Sequence, residues 1–490
     1  MIYIGIDLGT SAVKILAMDE KGTVYASVSE TYSISFPKTG WAEQKPEDWY
    51  HAVIRGIHRI LEKVDSANIR GISFSGQMHG LVVLDEMDEV IRPAILWNDS
   101  RAVKETAYLN QVVGKKKIAS YTGNIAFPGF TAPKLLWMKE KEPEKFSKIC
   151  KIMLPKDYLV YKLSGTFCTD YSDASGTLLL DVRKRCWSEE MLHICEVKYN
   201  QLPQLRESDE EAGELKRDLS ETLGIRQNVK IIVGAADNPA AAVGTGAVGE
   251  GMCNISLGTS GTVFMTSKQF RMDADNALHA FAHADGGYYL MGCMLSAASC
   301  NKWWVNDILG QETFETSQRK ITELGENKVF YLPYLMGERS PHNDPYARGV
   351  FVGMSMNTTQ EEMTQSVMKG VVYALRDCLE VAKKSGILVE KATLCGGGAK
   401  SFLWKRMVAN ILNLKVEIPQ QEEGPAYGAA ILAATGCGEF ANLCEAAEHL
   451  CKVKEKIFPE RELVQKYEQK YKKFQKIYPA LKGVFREIAE

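Results

Sequence analysis

The chain has 490 residues, of which 45% are hydrophobic and 24% are charged, a composition ordinary for a globular protein. Its 59 basic and 61 acidic residues give a net charge of −2, so neither nucleic acid nor an anionic membrane is expected as a partner. The length exceeds what one hydrophobic core usually supports, and two domains are therefore expected.

Targeting signals and cysteine spacing favour a cytoplasmic location. The chain enters a predicted strand at once and carries a charge at Asp7, so no signal peptide is expected. No apolar run approaches the roughly 18 residues that a membrane span needs. The 12 cysteines include no C-x-x-C pair, and we interpret them as buried, reduced thiols rather than metal ligands or disulfides.

Roughly the first 80 residues predict three antiparallel strands, a helix and a further strand. The three strands are Tyr3–Ile6, Val13–Met18 and Thr23–Thr31. Apolar residues at helical spacing predict a helix from about Pro46 to Lys63, and Ile69–Ser75 predicts the next strand.

The middle of the chain predicts an insertion and then a short helix. Residues from about 85 to 225 carry polar and aromatic loops, which we interpret as shaping a substrate cleft. Lys230–Ala236 predicts a strand, after which Asp237 opens a helix of Ala and Val. Gly244, Gly246 and Gly249 match G-x-G-x-x-G but follow a helix, whereas a dinucleotide-binding turn follows a strand. We interpret these glycines as a hinge.

The second half repeats the plan of the first. Met252–Thr266 predicts another antiparallel pair and Tyr288–Met291 a third strand. A helix over Thr359–Lys384 and a strand over Ala392–Cys395 follow. The last 40 residues or so are rich in Lys and Glu and predict a terminal amphipathic helix.

One short phrase occurs in both halves, and each copy lies between two predicted strands. Residues 7–11 read Asp-Leu-Gly-Thr-Ser, and residues 256–261 read Ser-Leu-Gly-Thr-Ser-Gly. Such a turn presents backbone N–H groups and hydroxyls, which suit phosphate oxygens. The repetition predicts two α/β domains, residues 1–247 and 248–490, with a phosphate chain held between them.

Two aspartates are candidates for the chemistry. Asp7 ends the first strand and could hold Mg²⁺ through waters, or it could simply start a tight turn. Asp237 follows a strand and could accept a proton from an attacking hydroxyl, or it could only cap its helix. Local sequence leaves both alternatives open.

Glycine and histidine patterns in the second half are also informative. Gly396–Gly398 ends a strand and begins a helix, which favours close approach of a nucleotide over a plain tight turn. It is not a Walker A loop, because Ala399 precedes Lys400 where that motif has glycine. His279 and His283 lack the glutamate of a zinc protease helix, so we interpret them as structural histidines.

Eight short motifs occur in a fixed order, and together they resemble the FGGY carbohydrate kinase family. The resemblance covers nearly the whole chain and weakens after about residue 445. It implies two ribonuclease-H-like (actin-like ATPase) domains with a central interdomain cleft. The motifs are Asp7–Ser11, Gly76–Gly80, Leu96–Asp99, Leu154–Tyr158, Thr169–Ser175, Gly234–Asn238, Ser256–Gly261 and Gly337–Pro341.

The resemblance implies an enzyme that uses ATP and Mg²⁺ to phosphorylate a sugar hydroxyl. Asp237 is implied as the general base, and Asp7 as a residue needed for activity that acts on Mg²⁺ through water. The residues implied to contact the sugar are Gln77, Met78, His79, Asp237 and Asn238. Those implied to surround ATP are Thr10, Ser11, Lys14, Gly258, Thr259, Gly397, Gly398 and Asn410.

The resemblance is greatest to family members that phosphorylate D-xylulose at O5, and that sugar is expected here. Met78 and His79 stand where glycerol-specific members carry Arg-Glu, which argues against glycerol. Ala236, Pro239 and Lys369 depart from the family pattern and leave ribulose, L-xylulose or a sugar acid as alternatives. An actin-like ATPase switch is the alternative from another class. A homodimer is left open.

Overall fold

The computed structural model describes residues 1–225, 228–311 and 313–489, and its first half is built on a mixed sheet. The N-terminal strand lies in the middle, antiparallel to one neighbour (Ile2 opposite Asp19) and parallel to the other. In spatial order the strands are Glu211–Glu214, Lys230–Ile232, Ile69–Gly76, Ile2–Leu8, Ala12–Asp19 and Val24–Thr31, with Ala235–Ala236 also paired to Ile69–Gly76.

A second mixed sheet repeats this arrangement in the second half. Its Met252–Leu257 strand is antiparallel to Gly261–Ser267 and parallel to Lys391–Cys395, as the first strand of the chain is to its own neighbours. The duplicated α/β architecture is therefore confirmed. In spatial order the strands are His279–Ala282, Tyr288–Met294, Gly261–Ser267, Met252–Leu257, Lys391–Cys395, Lys415–Pro419 and Val453–Ile457.

Helices surround both sheets, and no described helix is long and apolar enough to cross a membrane. The helices are Pro46–Leu61, Val103–Ala107, Lys115–Thr122, Thr131–Lys141, Pro143–Phe146, Pro155–Ser164, Tyr171–Ala174, Glu189–Cys195, Arg217–Leu223, Asp237–Gly244, Ala298–Lys302, Phe314–Gln318, Gln360–Lys384, Phe402–Leu412, Gly424–Gly436, Leu443–Leu450, Arg461–Phe474 and Ile477–Ala489.

Between strand Ile69–Gly76 and residue 225, the chain forms a series of short helices and strands, which correspond to the predicted insertion. The end of that segment differs from the prediction, because Glu211–Glu214 is an edge strand of the first sheet itself. The two-stranded sheets of the molecule pair Glu43–Gln44 with Ala94–Ile95, Val82–Leu84 with Lys151–Met153, Cys168–Asp170 with Gln204–Arg206, Leu180–Asp181 with Cys186–Trp187, and Phe330–Leu332 with Val350–Val352.

Two predicted elements are each divided in the structure. The strand predicted over Lys230–Ala236 is interrupted at Gly234, whose φ is +82° and where a Cβ would lie 2.2 Å from the Phe74 carbonyl oxygen. Only glycine fits so close an approach in that backbone conformation. The single terminal helix is wrong, because the chain turns between Arg461–Phe474 and Ile477–Ala489.

Helix Asp237–Gly244 and helix Gly424–Gly436 cross in direct backbone contact. A Cβ at Gly428 would lie 1.8 Å from the carbonyl oxygen of Ala240, and one at Gly244 would lie 2.2 Å from that of Gly424. The same late helix packs on the first sheet, since a Cβ at Gly5 would lie 2.0 Å from the Ala426 oxygen. The division at residue 247 stays a prediction, because a helix from the second half covers the first sheet.

This crossing predicts a large stability difference between two helical glycines. Gly428→Ala forces a methyl group into backbone atoms, so we expect a loss of about 2–3 kcal/mol or more, and a Tm lower by at least about 4 °C. Gly483→Ala is the control, because no atom lies within 4 Å of its new Cβ and alanine favours helix. Its Tm should stay or rise. Equal melting temperatures for the two variants would contradict the glycine contact.

Candidate active site

The carboxyl ends of neighbouring parallel strands meet at one edge of the first sheet, and two aspartates lie there. Asp7 is the penultimate residue of its strand, and Asp237 directly follows Ala235–Ala236. Both strands are parallel to Ile69–Gly76, which lies between them. In open α/β sheets this edge is where ligands bind. The fold therefore brings the two predicted catalytic aspartates together.

Asp237 is a partly buried carboxylate with one oxygen already held. The backbone N–H and the side-chain Nδ2 of Asn238 donate to its Oδ1 at 2.7 and 2.8 Å. Within the part of the chain that the structure describes, Oδ2 has no bonded donor. Burial, and then the charge of Asp7, raise the pKa of Asp237 to about 7, although the Asn238 hydrogen bonds oppose this. A carboxylate with such a pKa suits proton transfer near neutral pH.

Asp7 lies between a hydroxyl and a cation on the adjacent strands. Ser75 Oγ donates to Asp7 Oδ1 at 2.9 Å, and Lys14 stands opposite Asp7 in the antiparallel register. Burial raises the pKa of Asp7 to about 6, while Ser75 and Lys14 oppose the rise. Lys14 Nζ is itself 2.6 Å from Glu423 Oε2, at the start of helix Gly424–Gly436.

A fully buried lysine with three aspartates lies behind Asp237. Lys156 Nζ is 2.8 Å from Asp157, 3.1 Å from Asp170 and 4.0 Å from Asp173. Burial alone would lower the pKa of Lys156, but the three carboxylates outweigh burial and raise it. Burial also raises the pKa of Asp173 well above its usual value, although the charge of Lys156 opposes the rise.

This cluster reaches the backbone beside Asp237. Asp170 Oδ2 accepts hydrogen bonds from the Ser172 hydroxyl and, at 2.8 Å, from the Ser208 hydroxyl. Ser172 Oγ in turn accepts the backbone N–H of Ala236 at 3.1 Å. The ion cluster therefore fixes the residue that precedes Asp237, and this network sets where the carboxylate emerges from the strand.

In both Gly-Thr-Ser turns the carbonyl oxygens of the glycine and the threonine accept hydrogen bonds, from side chains in the first turn and from backbone N–H groups in the second. In the first turn, Gly9 O accepts from Tyr32 Oη at 2.5 Å and Thr10 O accepts from Gln44 Nε2 at 2.7 Å. In the second turn, the carbonyls of Gly258 and Thr259 accept backbone N–H groups of Ala298 and Ala297 at 2.8 and 3.0 Å. Protein donors thus occupy these carbonyl oxygens, which would otherwise repel a phosphate.

A cleft of about 820 Å³ opens between the two halves beside Asp237. Asp237, Asn238 and Ala241 form its wall on the first half, and Gly424 and Pro425 contribute the start of the late helix. A helix N-terminus favours negative charge. The residues that line the cleft from the second half include Asn254, Ser256, Ser260, Thr262, Phe264, Cys395, Gly396, Gly397, Ala399, Lys400 and Lys405.

His79 adopts a left-handed backbone conformation with φ of 70°, and its side chain is held in one orientation. Its Nδ1 lies 2.7 Å from Gly176 O, its ring stacks on Phe130 at 4.5 Å, and its carbonyl oxygen accepts from Lys134 Nζ at 2.9 Å. Burial lowers the pKa of His79 to about 3, so the ring is neutral. Because a carbonyl only accepts, Nδ1 carries the proton and Nε2 is an acceptor.

Met78 and Gln77, the other residues predicted to contact the sugar, lie in different surroundings. Met78 is buried, and its Sδ lies 4.0 Å from Asn238 Nδ2. Met78 is therefore in contact with the residue that follows Asp237. Gln77 is also buried, and its Nε2 reaches Gly9 O at 3.5 Å and Gln44 Oε1 at 3.2 Å. Gln77 thereby supports the first Gly-Thr-Ser turn.

The predicted nucleotide residues are only partly brought together. Gly397 is open and lines the cleft, whereas a Cβ at Gly398 would lie 2.7 Å from Leu257 Cβ, so that glycine serves packing. Asn410 is buried away from the cleft wall. Its Nδ2 donates to Arg406 O at 2.8 Å, and its Oδ1 accepts Glu460 N at 2.6 Å. Ser11 is exposed at the first turn.

Sequence reasoning missed several residues of this site. Lys156 and its aspartates lie in motifs of the family resemblance, but the motifs alone do not indicate a buried ion cluster. The available signal was a lysine in a helix whose other residues are mostly buried. Gly424 and Pro425 begin an Ala-rich helix, and a helix without a polar face indicates complete burial. Trp97, whose Nε1 donates to Thr10 Oγ1 at 3.0 Å, was visible only as part of an unusual loop.

The site contains one carboxylate suited to a divalent cation. Among the described residues, no group of three or more His, Cys, Asp or Glu side chains could hold a metal ion. Asp7 directs only Oδ1 at Ser75, and Mg²⁺ is usually held by one or two carboxylates together with substrate phosphates. Asp7 therefore fits Mg²⁺ that arrives with a nucleotide.

The chain matches known families and proteins over nearly its whole length. Residues 2–244 match the N-terminal domain of the FGGY family of carbohydrate kinases, and residues 253–437 match the C-terminal domain of that family. A xylulose kinase from Staphylococcus xylosus is 38% identical over 478 residues, covering 97% of this chain and 99% of the relative.

Solved structures have the same fold. A xyloylose kinase from Brucella ovis superposes with a TM-score of 0.94 at 37% identity, covering 99% of this chain and 100% of that one. A gluconate kinase from Lactobacillus acidophilus also gives a TM-score of 0.94, at 29% identity and with 99% of each chain covered. The expected fold class is confirmed by both likenesses.

The buried ion cluster predicts that two lysines of helix Pro155–Ser164 differ greatly in importance. Lys156→Met leaves three buried aspartates without their cation, so we expect a loss of about 3–5 kcal/mol in the free energy of unfolding. Lys162→Met removes a solvent-accessible pair with Glu47 and the contacts of the ammonium with the Tyr50 and Tyr158 rings, and should cost about 1 kcal/mol. Urea denaturation of both variants measures the difference. A Lys156→Met variant as stable as Lys162→Met would contradict the account.

Proposed function

The chain belongs to the FGGY family of carbohydrate kinases and is a sugar kinase, and we propose that it phosphorylates D-xylulose to D-xylulose 5-phosphate with ATP. The observation that carries the proposal is Asp237 at the cleft wall, with one oxygen held by Asn238, whose amide lies against Met78. Relatives called xylulose kinase at 36–40% identity over most of the chain support the choice of sugar.

Asp237 is proposed as the general base. Its Oδ1 is fixed by two donors from Asn238, so Oδ2 is the oxygen that takes the proton of the attacking O5 hydroxyl. The pKa of about 7 lets the carboxylate hold that proton after transfer. Phosphoryl transfer asks for little covalent chemistry from the protein, so positioning of the hydroxyl supplies much of the rate acceleration.

Met78, His79 and Asn238 are proposed to orient the sugar. Neutral His79 presents Nε2 as an acceptor for one sugar hydroxyl, because Nδ1 donates to Gly176. Asn238 keeps its amide beside Met78 and Asp237, where the amide can donate to a neighbouring oxygen. A site built from fixed donors and acceptors discriminates against sugars with a misplaced hydroxyl. The proposed contact of Gln77 with sugar stays a prediction.

ATP is proposed to lie in the cleft with its phosphates toward the two Gly-Thr-Ser turns. Thr10, Ser11, Gly258 and Thr259 supply amides and hydroxyls there, and Lys14 adds a cation. Mg²⁺, held by Asp7 through water, would neutralise charge on the phosphates when bound. Gly397 leaves room for the nucleotide along the cleft wall. Asn410 as an adenine neighbour stays a prediction, and its side chain is fully engaged elsewhere.

A sugar acid is the second candidate substrate, because a gluconate kinase shares the fold over the full length. Fold alone does not fix a substrate. Relatives called xylulose kinase match this chain at 36–40% identity and the gluconate kinase at 29%, so we favour the neutral ketose.

A coupled ADP-release assay with a panel of sugars tests the proposal. D-xylulose should give a kcat/KM at least about tenfold above D-ribulose, L-xylulose, D-gluconate and glycerol. Asp237→Asn should lower turnover with D-xylulose about 10²–10⁴-fold while ATP binding persists, because the amide keeps the shape but accepts no proton.

The controls separate the two parts of the proposal. Release of ADP without sugar must stay low, since a nucleotide switch would hydrolyse ATP alone. A preference for D-gluconate overturns the substrate, and an Asp237→Asn variant with more than about a tenth of wild-type turnover overturns the base.

A further inference from the structure

Arg339 belongs to a segment of the second half that packs on the strand Tyr288–Met294, next to a strand that lines the cleft. The backbone N–H of the next residue, Ser340, donates to Cys293 O at 2.9 Å. Cys293 pairs with Thr262 across two antiparallel strands, and Thr262 lines the cleft that Asp237 also lines. The segment therefore lies one strand away from the wall of the active site.

Hydrogen bonds hold the segment rigidly. Glu338 Oε1 accepts the backbone N–H groups of Leu295 and Arg339 at 3.0 and 2.8 Å. The backbones of Glu338 and Asp344 exchange two further bonds, at 2.9 and 2.8 Å. These bonds fix the backbone at Arg339 without a bound ligand, and a fixed backbone is what a precise binding contact requires.

The guanidinium of Arg339 faces the sugar side of the first half. Its Cζ lies 5.6 Å from the ring centre of Phe127, whose ring is 5.5 Å from Phe130, the residue that stacks on His79. The positive charge contributes to the lowered pKa of both His79 and His279. Arg339 and the ring of His79 thus belong to one continuous wall, formed by Phe127, Phe130 and His79.

No counter-ion neutralises this partly buried cation. Across residues 1–225, 228–311 and 313–489, no carboxylate lies within 4.0 Å of the Arg339 guanidinium. Burial raises the pKa of the adjacent Glu338 to about 8, so that carboxyl is largely protonated near neutral pH. The Arg339 guanidinium donates one hydrogen bond to the Cys293 sulfur, which leaves most of its five N–H donors for another partner.

We propose that Arg339 donates hydrogen bonds to the end of the sugar that is remote from the phosphorylated hydroxyl, namely the hydroxyketone end of a ketose. The proposal rests on the proposed function, in which Asp237 takes the proton of the reacting hydroxyl and His79 accepts a hydrogen bond from another hydroxyl of the sugar. A sugar that lies along the wall from His79 to Phe127 then has its far end at Arg339. A planar guanidinium fork matches two oxygens on adjacent carbons, such as a ketone and its neighbouring hydroxyl.

The test compares a full-length substrate with a truncated ligand. Arg339→Met should raise the KM for D-xylulose about 10- to 100-fold and leave the KM for ATP within about twofold, because only sugar bonds are lost. Glycerol keeps the terminal hydroxyl and lacks the hydroxyketone end. Its inhibition constant against D-xylulose should therefore be the same for the wild type and for Arg339→Met.

Two further variants distinguish contact from structure. Arg339→Lys should give an intermediate KM for sugar, because an ammonium donates but lacks the fork. Arg348→Met is the matched control on the same loop, since the Arg348 guanidinium donates to the carbonyls of Pro345 and Ala347 and, among the described residues, forms no ion pair. It should leave every constant unchanged, and all variants should melt like the wild type.

Each contrary outcome overturns the inference. An unchanged KM for D-xylulose in Arg339→Met shows that no sugar contact exists. An equal rise in the KM for ATP, or a weakened glycerol inhibition, shows that Arg339 acts on the whole site. A wild-type enzyme without D-xylulose-dependent activity would instead refute the proposed function, and the same comparison would then use the sugar that the panel identifies.

Discussion

The contact between helix Asp237–Gly244 and helix Gly424–Gly436 is the constraint on which the rest of the structure depends. One helix follows the first sheet and the other comes from the second half, and their backbones meet at Gly244 and Gly428 with no room for a side chain. Both helices begin at the cleft, where Asp237 and Gly424 form part of its wall. The crossing therefore joins the halves and places a carboxylate beside a phosphate-attracting helix end.

Electrostatics around this crossing are arranged in two layers. Behind Asp237, the fully buried Lys156 neutralises part of an aspartate cluster and fixes the strand that ends at Ala236. At the cleft, Asp7 and Asp237 remain close enough for the charge of one to raise the pKa of the other. Anions repel each other at short range, so such a pair is stable only when one carboxyl holds a proton or a cation is present.

Sequence patterns predicted most of the fold because its signals are local. The antiparallel strands around each Gly-Thr-Ser turn, and the helix and strand that follow, have clear apolar periods. Asp7 and Asp237 are found together because each lies at the carboxyl end of a strand of one sheet. The placement of Asn410 was not predictable, since its partner Glu460 is 50 residues away. The packing of helix Gly424–Gly436 on the first sheet was equally hidden, as it joins residues more than 400 positions apart.

The pH dependence of kcat/KM for the sugar tests most directly whether Asp237 is the base. That constant reports ionisations of the free enzyme, and the reactive form carries Asp237 unprotonated. With a pKa of about 7, kcat/KM should be constant at higher pH and fall tenfold per pH unit below it. The fall should steepen below about 6, where Asp7 also takes a proton. A value of kcat/KM that stays constant down to about pH 5 would contradict the assignment.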